Sequence, residues 1–465
     1  MTSSTNTSGS VALDTMKLRP AHYRIIFVSS LGQFLGQGLA TLVGIVIPLL
    51  QLTLNPPLSS GYQGILGCIS LIGIMIGSAV IGNLSDRYGY LMLFRICPVL
   101  CGLSALSIVI FPHVAVLTVA LFIMGVAVGG EYSLDPNYIS ELMPTKWKVF
   151  MVGVAKALAS AGSAFVAVVC YIILSDGAGP HIWNALMLII VVICVIMAAT
   201  RISFAQSPEW LIEHGRPLQA EQAVKKLLGK NVEIPMDAST APSSQGPTKP
   251  QNISIWKFVV SRFRLVILTG IPWACEGLGV YGIGIFLPVL IMAFGLESLP
   301  AHATAMDRIT HSVGLTFILC IVMMVGFAIG LSLLRKAAHV KIQIWGFVLS
   351  TVGLAILLAA YLLHWDVAWA IAGFVIFELA LNAGPHLITF ILPSQVFAVS
   401  DRGTGAGVAA SLGKLGAVAG AFFIPVILTK WGGTGVLVVS IIIMALGALI
   451  TFIFGHNLSK NTSNS

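Results

Sequence analysis

Apolar runs of about 20 residues recur along nearly the whole chain, each long enough to cross a hydrocarbon core of about 30 Å. Twelve are read, at 25–50, 63–84, 91–111, 114–138, 149–174, 183–203, 264–293, 309–334, 340–363, 367–391, 402–429 and 434–455. In lipid such runs must be helices, because each backbone group has to find its partner within its own segment. Charged residues are 9% and hydrophobic residues 57% of the 465 positions, and a soluble chain of this size needs far more charge to cover its surface. The fold class expected is an all-α membrane protein. The first run is too long and too late for a cleaved signal peptide, and a basic flank (Lys17, Arg19, Arg24) precedes it. Residues 1–15, rich in Ser and Thr, are expected to be unstructured.

Charge placement predicts the orientation. Of 25 Lys and Arg, 21 fall in one set of alternating loops and tails, including Lys146, Lys148, the 201–264 interval, Arg335, Lys336 and Lys341. The opposite side keeps Arg308 and Lys430, while Lys156 and Lys414 lie inside spans. The positive-inside rule therefore puts both termini and the central loop in the cytoplasm, and an even number of spans follows. The net charge of +8 reflects topology and gives no support to nucleic-acid binding. All seven cysteines fall in apolar spans without zinc-ligand spacing, so they read as small packing residues. No cofactor motif is found, and the partners expected are a small-molecule substrate, protons and the lipid bilayer around a monomer.

The polar interval 204–263 divides the spans six and six. Its middle, from Asp237 to Pro250, has the composition of a flexible linker, and residues 217–229 read as an amphipathic helix at the membrane surface. The organisation expected is an N-terminal tail (1–24), a first half (25–203), the cytoplasmic linker (204–263), a second half (264–455) and a C-terminal tail (456–465). Two six-helix halves about a long cytoplasmic loop suit a carrier that rocks them around a midplane site. A channel or a membrane enzyme could also have twelve spans.

The loop after the second span reads Gly82-Asn-Leu-Ser-Asp86-Arg87-Tyr-Gly89-Tyr90. Its glycines permit a tight turn, Asp86 is near the start of the following helix, and Arg87 can bridge to carboxylates or helix C-termini. The segment resembles the signature of the major facilitator superfamily. Similar matches follow in order: Ile139-Ser-Glu141-Leu-Met-Pro144-Thr-Lys-Trp-Lys148, Gln206-Ser-Pro208-Glu209-Trp210-Leu211, Pro393-Ser-Gln395-Val-Phe397 and Asp401-Arg402-Gly403. The second resembles a segment of sugar porters, and the chain is similar to the branch of metabolite, phosphate and organic-ion symporters. The resemblance implies the major facilitator fold, twelve helices in two six-helix halves, in a bacterial inner (plasma) membrane. It further implies conformational gating by Gly82, Asp86, Arg87, Gly89, Glu141 and Arg402. The chain departs from the pattern at Gln395, at Glu209 in place of arginine, at Phe34-Leu35-Gly36-Gln37-Gly38 where related symporters carry a span-1 segment with aspartate, and at Leu121 in place of their span-4 arginine.

Charges at a helix centre cost roughly 2.5–3.5 kcal/mol on insertion scales and are functional candidates by default. They are Glu131, Asp135, Lys156, Glu276, Glu378 and Lys414, drawn from both halves and expected to share a midplane polar cavity. Glu131 and Asp135, four apart, lie on one helix face, and crowded carboxylates suit a proton-carrying site. The resemblance to phosphate symporters ranks Glu131 first for the proton, beside Tyr132. Pairing with Lys156 is its structural alternative. Trp273 and Tyr281 match aromatic positions of those symporters, with Glu276 as a second proton candidate. Glu378, Asn382 and His386, each four apart, are expected to line the cavity. Lys414 sits in a segment resembling S-G-K-x-G-A, and a basic residue there goes with anionic substrates in related carriers. The alternative is a lysine paired to Glu378 or Glu276. No ATP-binding loop is present, since five residues separate Gly407 from Gly413 and Leu415 follows the lysine. The leading expectation is proton-coupled anion transport with Lys414 as anchor. Facilitated diffusion or exchange of a neutral solute such as a sugar, and a non-transporting receptor, are the alternatives. No nucleophile–base or metal-ligand constellation points to an enzyme.

Overall fold

The computed structural model describes residues 11–12, 16–229, 232–233, 254–293 and 303–461. The helices of the first half are α1 (Pro20–Thr53), α2 (Ser60–Tyr88), α3 (Tyr90–Ile110), α4 (Val114–Leu142), α5 (Lys148–Ser175) and α6 (Leu188–Arg201). Two short helices, α7 (Pro208–Glu213) and α8 (Pro217–Leu228), precede the linker, and α9 (Ile255–Ser261) follows it. The second half comprises α10 (Phe263–Ala293), α11 (Ala305–Leu333), α12 (His339–Leu362), α13 (Val367–Ala383), α14 (Pro385–Val396) and α15 (Arg402–Asn461). Among the described residues twelve stretches are long and apolar enough to span a membrane; eleven coincide with the runs read from hydropathy to within about five residues at each end, and the seventh is recognised over Phe263–Tyr281 of the 264–293 run.

Two backbone breaks shape the second half. The tenth span divides into α13 and α14 at Gly384, where Pro385 opens the next helix and cannot donate to the ladder. The two last spans are continuous in α15 except at Gly432, whose φ of 64° is available to glycine at little cost. Side chains such as Trp345, Phe422, Phe423 and Ile442 are exposed around the bundle, the apolar belt that lipid covers.

The halves meet along α2 with α15 and along α5 with α11. At the end that carries the linker, α2 and α15 come so close that a Cβ on Gly407 would collide with the Ser78 carbonyl, and one on Gly82 with that of Gly403. α8 buries Ala220, Ala223, Val224 and Leu228 and leaves Leu218 exposed, as its amphipathic pattern anticipates. The N-terminal tail is not free throughout: β1 (Val11–Ala12) pairs in parallel with β2 (Val232–Glu233) after α8. The linker centre from Asp237 to Pro250 lies outside the described residues.

Candidate functional site

α4 carries polar side chains on two faces. Glu131 and Asp135 turn into the first half, whereas Tyr132, about 100° round the helix, turns towards the second. The two faces serve different clusters.

The cluster within the first half is sealed. Arg201, the last residue of α6, is fully buried and donates from Nη1 to Glu131 Oε1 and from Nη2 to Glu131 Oε2, both at 2.7 Å. Its Nη1 also reaches the Phe94 carbonyl at 2.8 Å, and its guanidinium lies 3.6 Å from the Phe94 ring centroid. Asp135 stands 3.9 Å from Arg201 Nη2 and accepts from Gln33 Nε2 at 3.2 Å. Gly32 of α1 leaves room for these carboxylates, since a Cβ there would meet both. Glu131 therefore pairs with Arg201 and not with Lys156. The single polar cavity expected for all six intramembrane charges is corrected to two separate clusters. The reason is rotational: successive residues on α4 face different neighbours. Arg201 was missed because a basic residue ending an apolar run reads as an interfacial flank. The available signal was an excess of acids in the first-half spans.

The second cluster lies between the halves. Lys414 of α15 donates to Tyr281 Oη at 3.0 Å and to Tyr132 Oη at 3.4 Å, and Tyr281 Oη donates to Gln37 Oε1 at 2.9 Å. Lys156 Nζ of α5 sits 5.2 Å from the Tyr132 ring centroid and 5.6 Å from that of Phe390. Trp273, Tyr132 and Phe390 pack edge-on or tilted, with centroids 6.3–6.4 Å apart. Among the described residues, neither lysine has a carboxylate oxygen within 4.0 Å, although both are buried. Hence the lysine paired to Glu276 or Glu378, the alternative raised from sequence, is not what forms. Gln37 Nε2, Trp273 Nε1 and Lys156 Nζ make no hydrogen bond among the described residues, so the cluster's spare capacity consists mainly of donors.

A chain of polar groups runs into this cluster. Asn382 Nδ2 donates to the Glu378 backbone carbonyl at 2.8 Å and to Glu378 Oε2 at 3.1 Å. Two acceptors assign its nitrogen, so Asn382 Oδ1 faces His386 Nδ1 at 2.8 Å and the ring must donate there. His386 Nε2 then meets Glu276 Oε1 at 3.5 Å. The i, i+4 stripe read from sequence is kept across the helix break at Gly384, and Glu276 enters the cluster despite its register offset.

A latch closes the linker end. Asp86 accepts from Gly403 N at 3.0 Å and from Thr404 N and Oγ1 at 2.7 Å, so it caps the N-terminus of α15. Asp86 does lie near the start of α3, as read from sequence, but the helix it caps comes from the other half. Arg402 donates to Glu209 Oε2 at 2.9 Å and lies 4.0 Å from Glu141, which also accepts from Ser207 Oγ. Arg87, expected to bridge, makes no hydrogen bond or ion pair among the described residues, because Arg402 takes the carboxylates from the opposite side. Gly89 adopts φ 82° and leaves space for Gln206, whose Oε1 accepts from Leu91 N at 3.0 Å. Where acidic partners are missing in the loop after α11, Arg335 stacks instead 4.2 Å from the Trp147 ring centroid.

Residues 19–462 match the family described as "Sugar (and other) transporter". The inner membrane metabolite transport protein YgcS of Escherichia coli K12 is 24% identical over 445 residues, covering 96% of this chain and 93% of its own length. The low affinity inorganic phosphate transporter 3 of Petunia hybrida is 23% identical over 451 residues, 88% of this chain and 83% of that one. Among solved structures, the major facilitator proton:xylose symporter XylE bound to 6-bromo-6-deoxy-D-glucose is similar with a TM-score of 0.74 and 19% identity, over 93% of this chain and 95% of that chain. At that identity the likeness is one of fold.

Proposed function

Because this chain belongs to the sugar (and other) transporter family of major facilitator membrane transporters, which are not enzymes, we propose that it moves a small anionic metabolite together with a proton by alternating access. The observation that carries this reading is the pair of buried lysines, one from each half, that converge on Tyr132 without a carboxylate at ion-pairing distance among the described residues. An unpaired buried cation is costly, and an incoming anion removes that cost. Lys414 is the anchor. Lys156, Tyr281, Gln37 and Trp273 supply further donors, and the rings of Tyr132, Trp273 and Phe390 wall the site. The phosphate transporter among the relatives agrees with an anionic cargo.

The proton is assigned to the Glu276–His386 pair. His386 Nδ1 is committed as a donor to Asn382, so a neutral ring turns a lone pair towards the Glu276 carboxylate. One proton between them converts a repulsion into a hydrogen bond. With that proton bound the pair is neutral and the two lysines attract the anion undiminished; without it, the Glu276 charge offsets part of that attraction. Proton and anion therefore strengthen each other's binding, and the coupling is reciprocal by linkage. The sequence ranked Glu131 first for the proton, but its two oxygens on Arg201 favour Glu276 instead. Glu378 and Asn382 orient His386.

The excess of basic residues at the linker end supports a cytoplasmic assignment for that end and both termini. The state described is then closed to the cytoplasm. Opening breaks the Asp86 cap on α15 and the Arg402 contacts with Glu209 and Glu141, while Gly82 permits the close approach of the halves and Gly89 the turn that seats Gln206. Uptake into proteoliposomes of carboxylates, phosphate, phosphate esters and neutral sugars tests the reading. An anion should accumulate, a proton ionophore should abolish accumulation, and Lys414→Gln should weaken apparent affinity roughly ten- to hundred-fold, the value of a hydrogen bond to a charged group. Accumulation of a neutral sugar alone, or an unaltered Lys414→Gln, overturns it.

A further inference from the structure

The sealed cluster in the first half holds two acids and one cation, and its hydrogen bonds do not close. Arg201 gives its two Nη groups to Glu131, which leaves Asp135 Oδ1 3.9 Å from the nearest guanidinium nitrogen. Gln33 Nε2 donates to Asp135 Oδ2, yet Asp135 Oδ1 and Gln33 Oε1 both lack a hydrogen-bond partner, and neither residue has any exposed surface. Two side chains already joined by one hydrogen bond thus each present an unpaired acceptor in a fully buried position. A carboxylate held there 3.9 Å from a cation that another acid already engages through both Nη groups is costly to keep charged. A single proton on Oδ1 removes the surplus charge and converts one of the two idle acceptors into a donor.

We infer that Asp135 carries a proton in this state and that Asp135 and the Gln33 amide form a proton-binding site within the first half, distinct from the site between the halves. The titratable groups that face Asp135 are Glu131 and Tyr132 on its own helix, Arg201 on α6 and Cys97 on α3. Of these only Arg201 is cationic, and Glu131 occupies it. Gln33, Glu131, Asp135 and Arg201 make no hydrogen bond or ion pair with Lys156 or Lys414 among the described residues, so the inference does not depend on which solute is carried. Release of the proton sets a second carboxylate in competition for the Arg201 fork. That ties protonation to the packing of α1, α4 and α6, which meet at this point.

Infrared difference spectroscopy of the full chain in lipid, with and without carbon-13 aspartate, tests the inference without reference to transport. At neutral pH a protonated-carboxyl band that shifts with the label is expected. It should vanish in Asp135→Asn, which keeps the shape of a neutral acid, and move in frequency in Gln33→Leu, which removes the amide partner. Absence of a label-sensitive protonated-carboxyl band in the unsubstituted protein overturns the inference. So does a band that neither substitution alters. If Asp135→Asn does not fold, the labelled parent protein and Gln33→Leu still decide between the two outcomes.

Discussion

Glu131 and Tyr132 are neighbours in sequence and belong to opposite kinds of charge cluster. On one face of α4 the Arg201 fork meets Glu131 with both ends satisfied, under complete burial. On the other, Lys156 and Lys414 approach the same tyrosine ring at 5.2 and 4.6 Å with no acid at ion-pairing distance among the described residues. Breaking a buried pair strands its partner, so the first cluster holds helices together. An unpaired cation is stabilised only by what binds it, so the second is suited to a ligand. The latch at the linker end is a third case: half-buried pairs strong enough to hold one conformation and weak enough to release it.

The largest effect should come from Arg201→Leu, which leaves the buried Glu131 carboxylate without its cation. A loss of about 3–5 kcal/mol is expected, read as failure to recover monodisperse protein from detergent. Lys414→Met in a parallel preparation should leave the melting temperature unchanged or raised. Equal destabilisation by both would erase the distinction between the clusters. Next in size is Gly407→Val, which places a side chain against the Ser78 carbonyl where the halves touch. Overpacking of about 1–3 kcal/mol should hold the linker end apart, so that a cysteine introduced at Ser85 in a cysteine-free background becomes reactive to an impermeant thiol reagent from that side. Unchanged reactivity would mean that this close approach does not seal the end. The smallest effect belongs to Glu209→Gln. It removes one partner of the Arg402 pair at the partly solvated rim, for no more than about 1 kcal/mol of thermal stability. A loss matching that of Arg201→Leu would show the latch to be as indispensable as the sealed pair.

Much of the central cluster was legible one residue at a time. Lys414, Lys156, Glu276 and His386 stand out because a polar group in an apolar run is expensive and needs a reason. The i, i+4 stripe of Glu378, Asn382 and His386 is a property of a single helix and survived its break at Gly384. Their partners were not legible. Phe390 looks like any core aromatic until Lys156 is beside it, and Gln33 looks like a tolerated amide until Asp135 faces it. Asp86 was recognised as a gating residue, but its role as the cap of α15 depends on a helix more than 300 positions later, whose Gly403 and Thr404 amides it accepts.

Sequence by itself determined the twelve spans and the set of alternating loops that collects positive charge. In lipid each helix must satisfy its own backbone, which makes the decision local to about 20 residues. Tertiary structure alone decided which acid meets which cation. That choice turns on the rotation and separation of helices distant in the chain. Gly32 against the Glu131–Asp135 face and Gly407 against Ser78 set such separations, and no local pattern marks either glycine as a contact. Hence Glu131, foremost as a proton carrier in the sequence, stands in the fold as the partner of Arg201.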